Sequence, residues 1–76
     1  AHRAGREAAV IACIDDGITE IPAMVRHIYQ ELDASLYGAA GRSVLAHLIQ
    51  LVDEGRAVAE GPDGAIATIS ARFRLI

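Results

Sequence analysis

The apolar residues of this chain change their spacing at Gly55. Upstream of it they recur at intervals of three and four, and downstream they alternate. That switch confines 76 residues to a set of helices followed by a hairpin. From Arg3 to Asp16 the residues Ala4, Ala8, Val10, Ile11 and Ile14 share one arc of a helical wheel, and Gly17 follows as a stop. A second helix is expected from about Glu20 to Gln30, capped by Thr19, with Pro22 tolerated in the first turn. Its inward stripe is Ile21, Met24, Val25 and Ile28, and Arg26 and Glu31 face outward. Asp33-Ala34-Ser35 reads as a capping or turn cluster, and Leu36-Tyr37-Gly38 leads into the longest periodic stretch, ending at Glu54-Gly55. There Ala40, Val44, Leu45, Leu48, Ile49, Leu51 and Val52 hold half of the wheel. Arg42, Ser43, Ala46, His47, Gln50, Asp53 and Glu54 hold the other half. Arg56 to Glu60 reads as a strand and Gly61-Pro62-Asp63-Gly64 as a turn. Ile69, Ala71, Phe73 and Leu75, alternating with Ser70, Arg72 and Arg74, make a second strand.

Three helices and a terminal hairpin in so short a chain have few compact arrangements. The second and third helices must cross to cover the first, and the hairpin must close the open end, with Ile18-Thr19 a candidate third strand. The expected fold class is therefore mainly α with a small β-hairpin: a winged helix-turn-helix of three helices and a C-terminal wing, forming one domain over residues 1–76. Composition agrees. Apolar residues are 53% of the chain, too many for disorder, yet no apolar run approaches the roughly 20 residues of a membrane span, so no membrane partner is expected. Cys13 has no second Cys to pair with, which points to a reducing compartment and a cytoplasmic location. The start at Ala1-His2-Arg3 has neither an initiator Met nor the order of a signal peptide, and the chain reads as the C-terminal piece of a longer protein.

Reactive constellations are missing. A hydrolase or transferase needs a nucleophile beside a base, a carboxylate pair or a metal cage. His2, His27 and His47 fall on three different helices without a zinc-binding spacing. Asp15-Asp16 reads as a solvated helix end, and Gly61-Pro62-Asp63-Gly64 lacks the Lys and following helix of a phosphate loop. No catalytic, cofactor-binding or metal-ligating residue is expected in this chain. A winged helix raises the nucleic-acid alternative, a DNA-binding regulator domain whose third helix reads the major groove. Charge argues against it. Residues 1–34 carry three Arg against six acids, residues 35–55 one against two, and residues 56–76 three against two, for a net charge of -3. The third helix offers Arg42 with Ser43, His47 and Gln50 as polar readers, too little positive charge for phosphate-driven affinity, so duplex DNA is not an expected partner. Arg72 and Arg74 project from one face of the last strand and are candidates to meet an anion. They also serve to guard an edge strand against pairing.

On the first helix the side away from the apolar arc carries small residues where a solvated face would carry long polar ones. Arg6, Ala9 and Cys13 are the candidate interdomain face, open to close approach by another surface. Glu7 falls inside the apolar arc and must be paired, with Arg3 or with an Arg from elsewhere.

Three segments bring a family into view: His2-Arg3-x-x-Arg6-Glu7-x-x-x-Ile11, Ile28-Tyr29, and Ala40-x-Arg42-Ser43-Val44-Leu45-Ala46-His47-Leu48-x-x-Leu51 with its exit Glu54-Gly55-Arg56. Together they resemble the C-terminal winged-helix domain appended to metallo-β-lactamase-fold hydrolases. The chain departs from that pattern at Tyr37-Gly38, where the family more often has His-Pro. The resemblance implies a parent whose αββα catalytic domain holds two zinc ions through a His-x-His-x-Asp-His motif, absent from this chain. It implies an added domain that packs beside that catalytic domain and frames the substrate cleft. Single-stranded RNA is a substrate of some relatives, and a second copy of the chain is a further candidate partner. Arg42 and His47 carry over as family-pattern residues, His47 with a hydrogen bond that organises helix and loop.

Overall fold

The computed structural model describes residues 2–62 and 64–76, and side chains from residue 5 onward. Helix α1 spans His2–Asp15, α2 Ile21–Ile28 and α3 Tyr37–Asp53, the last preceded by a 3-10 turn, Ala34–Leu36. Strands β1 (Ala57–Glu60) and β2 (Arg72–Leu75) follow. No helix among the described residues is long and apolar enough to cross a membrane.

Two glycines end helices by the same device. Gly17 and Gly55 adopt φ of 85° and 73°, the left-handed region that glycine enters without steric penalty. At each, the following amide reaches back five residues, Ile18 N–H to Cys13 O at 2.8 Å and Arg56 N–H to Leu51 O at 2.9 Å. The glycine amide itself reaches back three. Both are Schellman closures, which satisfy carbonyls the helix would leave open and redirect the chain at a set angle. Asp33 Oδ1 accepts from Ser35 N–H at 2.9 Å, so the expected turn cluster starts the 3-10 segment.

The hairpin is antiparallel, with Ala57 opposite Leu75 and Ala59 opposite Phe73. Its other edge is also occupied. Glu20 bridges to Arg72, and Phe73 N–H donates to Thr19 O at 2.9 Å. The expected third strand thus exists as a single bridge, one residue further along than Ile18-Thr19. The same pairing explains why Thr19 is not the cap of α2. Glu20 is extended there at the N-cap position, makes no side-chain capping bond, and leaves Pro22 to open the helix. The second strand begins at Arg72 rather than Ile69, because Ala71 N–H closes a turn on Thr68 O at 3.1 Å. Gly61 and Gly64 exchange backbone bonds at 2.9 and 3.0 Å, as the expected turn requires; Asp63 within it lies outside the described residues.

The core lies where the three helices meet the inner face of the hairpin. Val10, Cys13, Ile21, Met24, Leu48, Leu51, Ala59 and Phe73 are essentially sealed from solvent, and no described polar or charged residue is buried among them. One expected face is shifted and another departs at a single residue. On α1 the buried stripe is Val10, Cys13 and Ile14, whereas Ala8 is exposed. A methyl group gains little from burial, so the Ala side of the expected arc turns outward while Val10 and Ile14 stay inside, and Cys13 packs beside them as a small hydrophobe. On α3, Ile49 lies at the margin of the apolar arc and is 40% exposed.

Candidate functional site

Ser43, His47 and Gln50 follow one another at intervals of four and three along α3, which stacks them on one flank of the helix. Opposite them α1 contributes Arg6 and Glu7. The two helices enclose an open groove of about 800 Å³, lined further by Ala46 and Glu54. One end is tied by a chain of polar contacts. Gln50 Nε2 donates to Glu54 Oε2 at 3.0 Å, and Arg56 Nη1 donates to Glu7 Oε1 at 3.2 Å and Glu54 Oε1 at 3.5 Å. The Gln50 amide, with help from Arg56, holds the Glu54 carboxyl below its usual range. The carboxylate of Glu7 therefore has its partner from elsewhere in the chain, placed there by the Schellman turn at Gly55. The alternative partner, the Arg3 side chain, lies outside the described residues.

The groove joins residues that the sequence placed in two groups. Arg6, expected on an interdomain face, stands across from Ser43, His47 and Gln50, expected as substrate or partner contacts. Arg6 also lies over the Tyr29 ring, 5.4 Å from its centroid, a cation–π contact that steadies α1 against the end of α2. Of the rest of the expected interdomain face, Cys13 is corrected. Cys13 is fully buried in the core, where burial and the nearby Asp16 charge push its thiol up, and Ala9 is half-buried. His47 makes no side-chain hydrogen bond among the described residues; it is half-buried with its imidazole on the groove wall.

Other candidates are set apart. Arg42 occupies the opposite flank of α3. On the wing, Arg72 Nε donates to Glu20 at 3.1 Å and Arg74 Nε to Glu60 at 2.7 Å. Both guanidiniums are matched by carboxylates across neighbouring segments, so the wing's face is close to neutral. The roles of Glu54 and Arg56 were not read from the sequence. The signal lay in Glu54-Gly55-Arg56, where a glycine closure swings the next side chain back over the preceding helix. Among the described residues no three His, Cys, Asp or Glu side chains gather as a metal site requires.

A helical triad closed by a hairpin, with α2 crossing α3 and a two-stranded wing, defines a winged-helix domain. The chain belongs to the beta-lactamase associated winged helix domain family, whose model matches residues 21–65, from the start of α2 through α3 and β1 to the wing turn. No curated protein and no solved structure matches the chain.

Proposed function

We propose that this chain is the non-catalytic C-terminal accessory domain of a metal-dependent hydrolase of the metallo-β-lactamase superfamily. It packs beside the catalytic domain and turns the α1–α3 groove toward the path by which substrate enters. The observation that carries this reading is the convergence of Arg6 with Ser43, His47 and Gln50 in one polar, open groove, within a domain of this family. Zinc belongs to the catalytic partner in this scheme; the groove supplies hydrogen-bond donors and acceptors that hold or orient an extended substrate, single-stranded RNA among the candidates. The buried, unpaired Cys13 is consistent with a cytoplasmic home.

Two measurements test it. The coding sequence upstream of Ala1 should specify a His-x-His-x-Asp-His motif, and a reading frame without it removes the hydrolase. With the encoded catalytic domain added to the isotope-labelled chain, amide shifts should cluster at Arg6, Ser43, Ala46, His47 and Gln50. Shifts that leave all five unmoved overturn the placement. Tight duplex binding at physiological salt, weakening steeply as salt rises, would instead establish a DNA reader.

A further inference from the structure

A second groove runs along the other flank of α3, between its first half and α2. Ile21, Val25, Leu45 and Ile69 give it an apolar floor, and Tyr37 stands at one side. Two glycines let its walls close up on α3. Gly38 and Gly41 remove side chains from successive turns of α3, and a Cβ at Gly41 would meet Ile69 Cδ1 at 3.4 Å and Ile21 Cγ2 at 3.6 Å. Tyr37 and Ile69, 40% and 46% exposed, leave much of their apolar surface to water. The groove measures about 490 Å³.

The rim is positive. Arg26 from α2 and Arg42 from α3 both border this groove, and Arg42 Nη1 folds back toward Gly38, within 3.7 Å of where a Cβ would sit. The other described guanidiniums are engaged: Arg56, Arg72 and Arg74 by carboxylates and Arg6 by Tyr29. Arg26 and Arg42 have no carboxylate partner among the described residues. In a chain of net charge -3, the two guanidiniums without a carboxylate or ring partner among the described residues thus stand beside the same apolar trough.

We propose that this groove docks a polypeptide segment that presents bulky aliphatic side chains flanked by carboxylates. The aliphatic groups lie in the trough against Tyr37, Leu45 and Ile69, and the carboxylates pair with Arg26 and Arg42. A nucleic acid fits less well, because two guanidiniums over an apolar floor neutralise few phosphates. The inference stands apart from the α1–α3 groove and does not depend on the role proposed for it.

The test uses the isotope-labelled chain and the blocked peptide Ac-Glu-Asp-Leu-Leu-Asp-Glu-amide, followed by amide shifts and calorimetry. Shifts should centre on Tyr37, Gly38, Gly41, Arg42 and Leu45, and affinity should fall as salt rises. The same peptide with Lys at its acidic positions should not bind. The double charge reversal Arg26→Glu/Arg42→Glu should weaken binding roughly tenfold or more. Both positions are exposed and unpaired, so the variant should keep the parent's circular dichroism and melting point. Binding of both peptides alike, no shift at millimolar peptide, or unaltered affinity in the folded double variant overturns the proposal. So does a single-stranded oligonucleotide moving these amides where the peptide does not, or concentration-dependent dimerisation that covers them.

Discussion

Phe73 is the perturbation that most directly tests how the wing is held. It is the chain's one Phe, is 1% exposed and lies opposite Ala59. The other buried residues facing inward from the wing are Ala57, Ala59 and Ala71, so this ring is the largest fully buried side chain with which the hairpin grips the helices, with Leu75 packed beside it only in part. Phe73→Ala leaves the backbone bond to Thr19 intact and removes that ring. Truncations of this kind cost about 3–5 kcal/mol. At about 0.05–0.15 kcal/mol per residue the whole domain has on the order of 4–11 kcal/mol to lose. The variant should therefore be partly or wholly unfolded, its midpoint lowered by about 4–8 °C for each kcal/mol. Phe73→Leu keeps most of the apolar volume and should cost below about 1.5 kcal/mol. Urea unfolding followed by circular dichroism, read beside hydrogen exchange of the helices, measures both. A loss under about 1 kcal/mol for Phe73→Ala would refute the argument. So would a variant whose hairpin amides exchange freely while its helices melt at the parent's midpoint, since the wing would then be an appendage rather than a wall of the core.

Three further outcomes follow from the local chemistry. In a double-mutant cycle of Glu7→Gln and Arg56→Ala, the coupling should be about 0.2–1 kcal/mol and shrink in high salt, because these side chains remain 33% and 52% exposed. Asp33, held low by the Ser35 amide, and Glu54, held low by Gln50 and Arg56, stabilise the fold above their ordinary values of 3.8 and 4.5 and cease to as pH falls through their lowered ones. The acid limb of a stability profile should accordingly flatten in Asp33→Asn and Glu54→Gln. Cys13 shows the opposite sign. Its thiol is raised from 9.0, first by burial and then by Asp16, so its contribution is complete below 9.0 and is lost as pH rises toward the raised value. At neutral pH a thiol reagent should label the native chain only as fast as it opens.

The parts of the fold that could be read in sequence are those governed by local chemistry. Gly17 and Gly55 end helices because a left-handed residue is needed at each place, and Asp33 starts its turn with a bond two residues long. The periodicity of α3 marked Ala40, Val44, Leu48 and Leu51 as interior because these positions repeat along one ridge, whatever packs on it. The misjudged features depend on partners distant in the chain. Cys13 and Ala8 exchange faces because the position of α2 and the hairpin, not the count of apolar residues, decides which side of α1 is covered. Thr19 loses the capping role because its backbone is engaged by Phe73, 54 residues later. Ile69 fits an alternating pattern but turns onto Gly41 instead of continuing the strand. The candidate site divides the same way: the stripe of Ser43, His47 and Gln50 is visible in helical spacing, whereas its meeting with Arg6 and its closure by Arg56 exist only in the folded chain.

The two grooves share one helix and present opposite chemistry, which makes a quantitative demand on the domain. Residues 43, 46, 47, 50 and 54 fall on one flank of α3 and residues 37, 38, 41, 42 and 45 on the other, separated by the buried ridge of Ala40, Val44, Leu48 and Leu51. The helix is about 10–12 Å across with its side chains, and the ridge between the grooves is a row of buried aliphatics. Perturbations on the two flanks should then be independent. His47→Ala should alter the response to the proposed catalytic domain without changing affinity for the acidic peptide, and Arg26→Glu/Arg42→Glu should do the reverse. Combined, they should add to within about 0.3–0.5 kcal/mol. A coupling well beyond that range would mean that α3 shifts as a body when either side is occupied, and that the domain transmits a signal between its flanks instead of holding two surfaces apart.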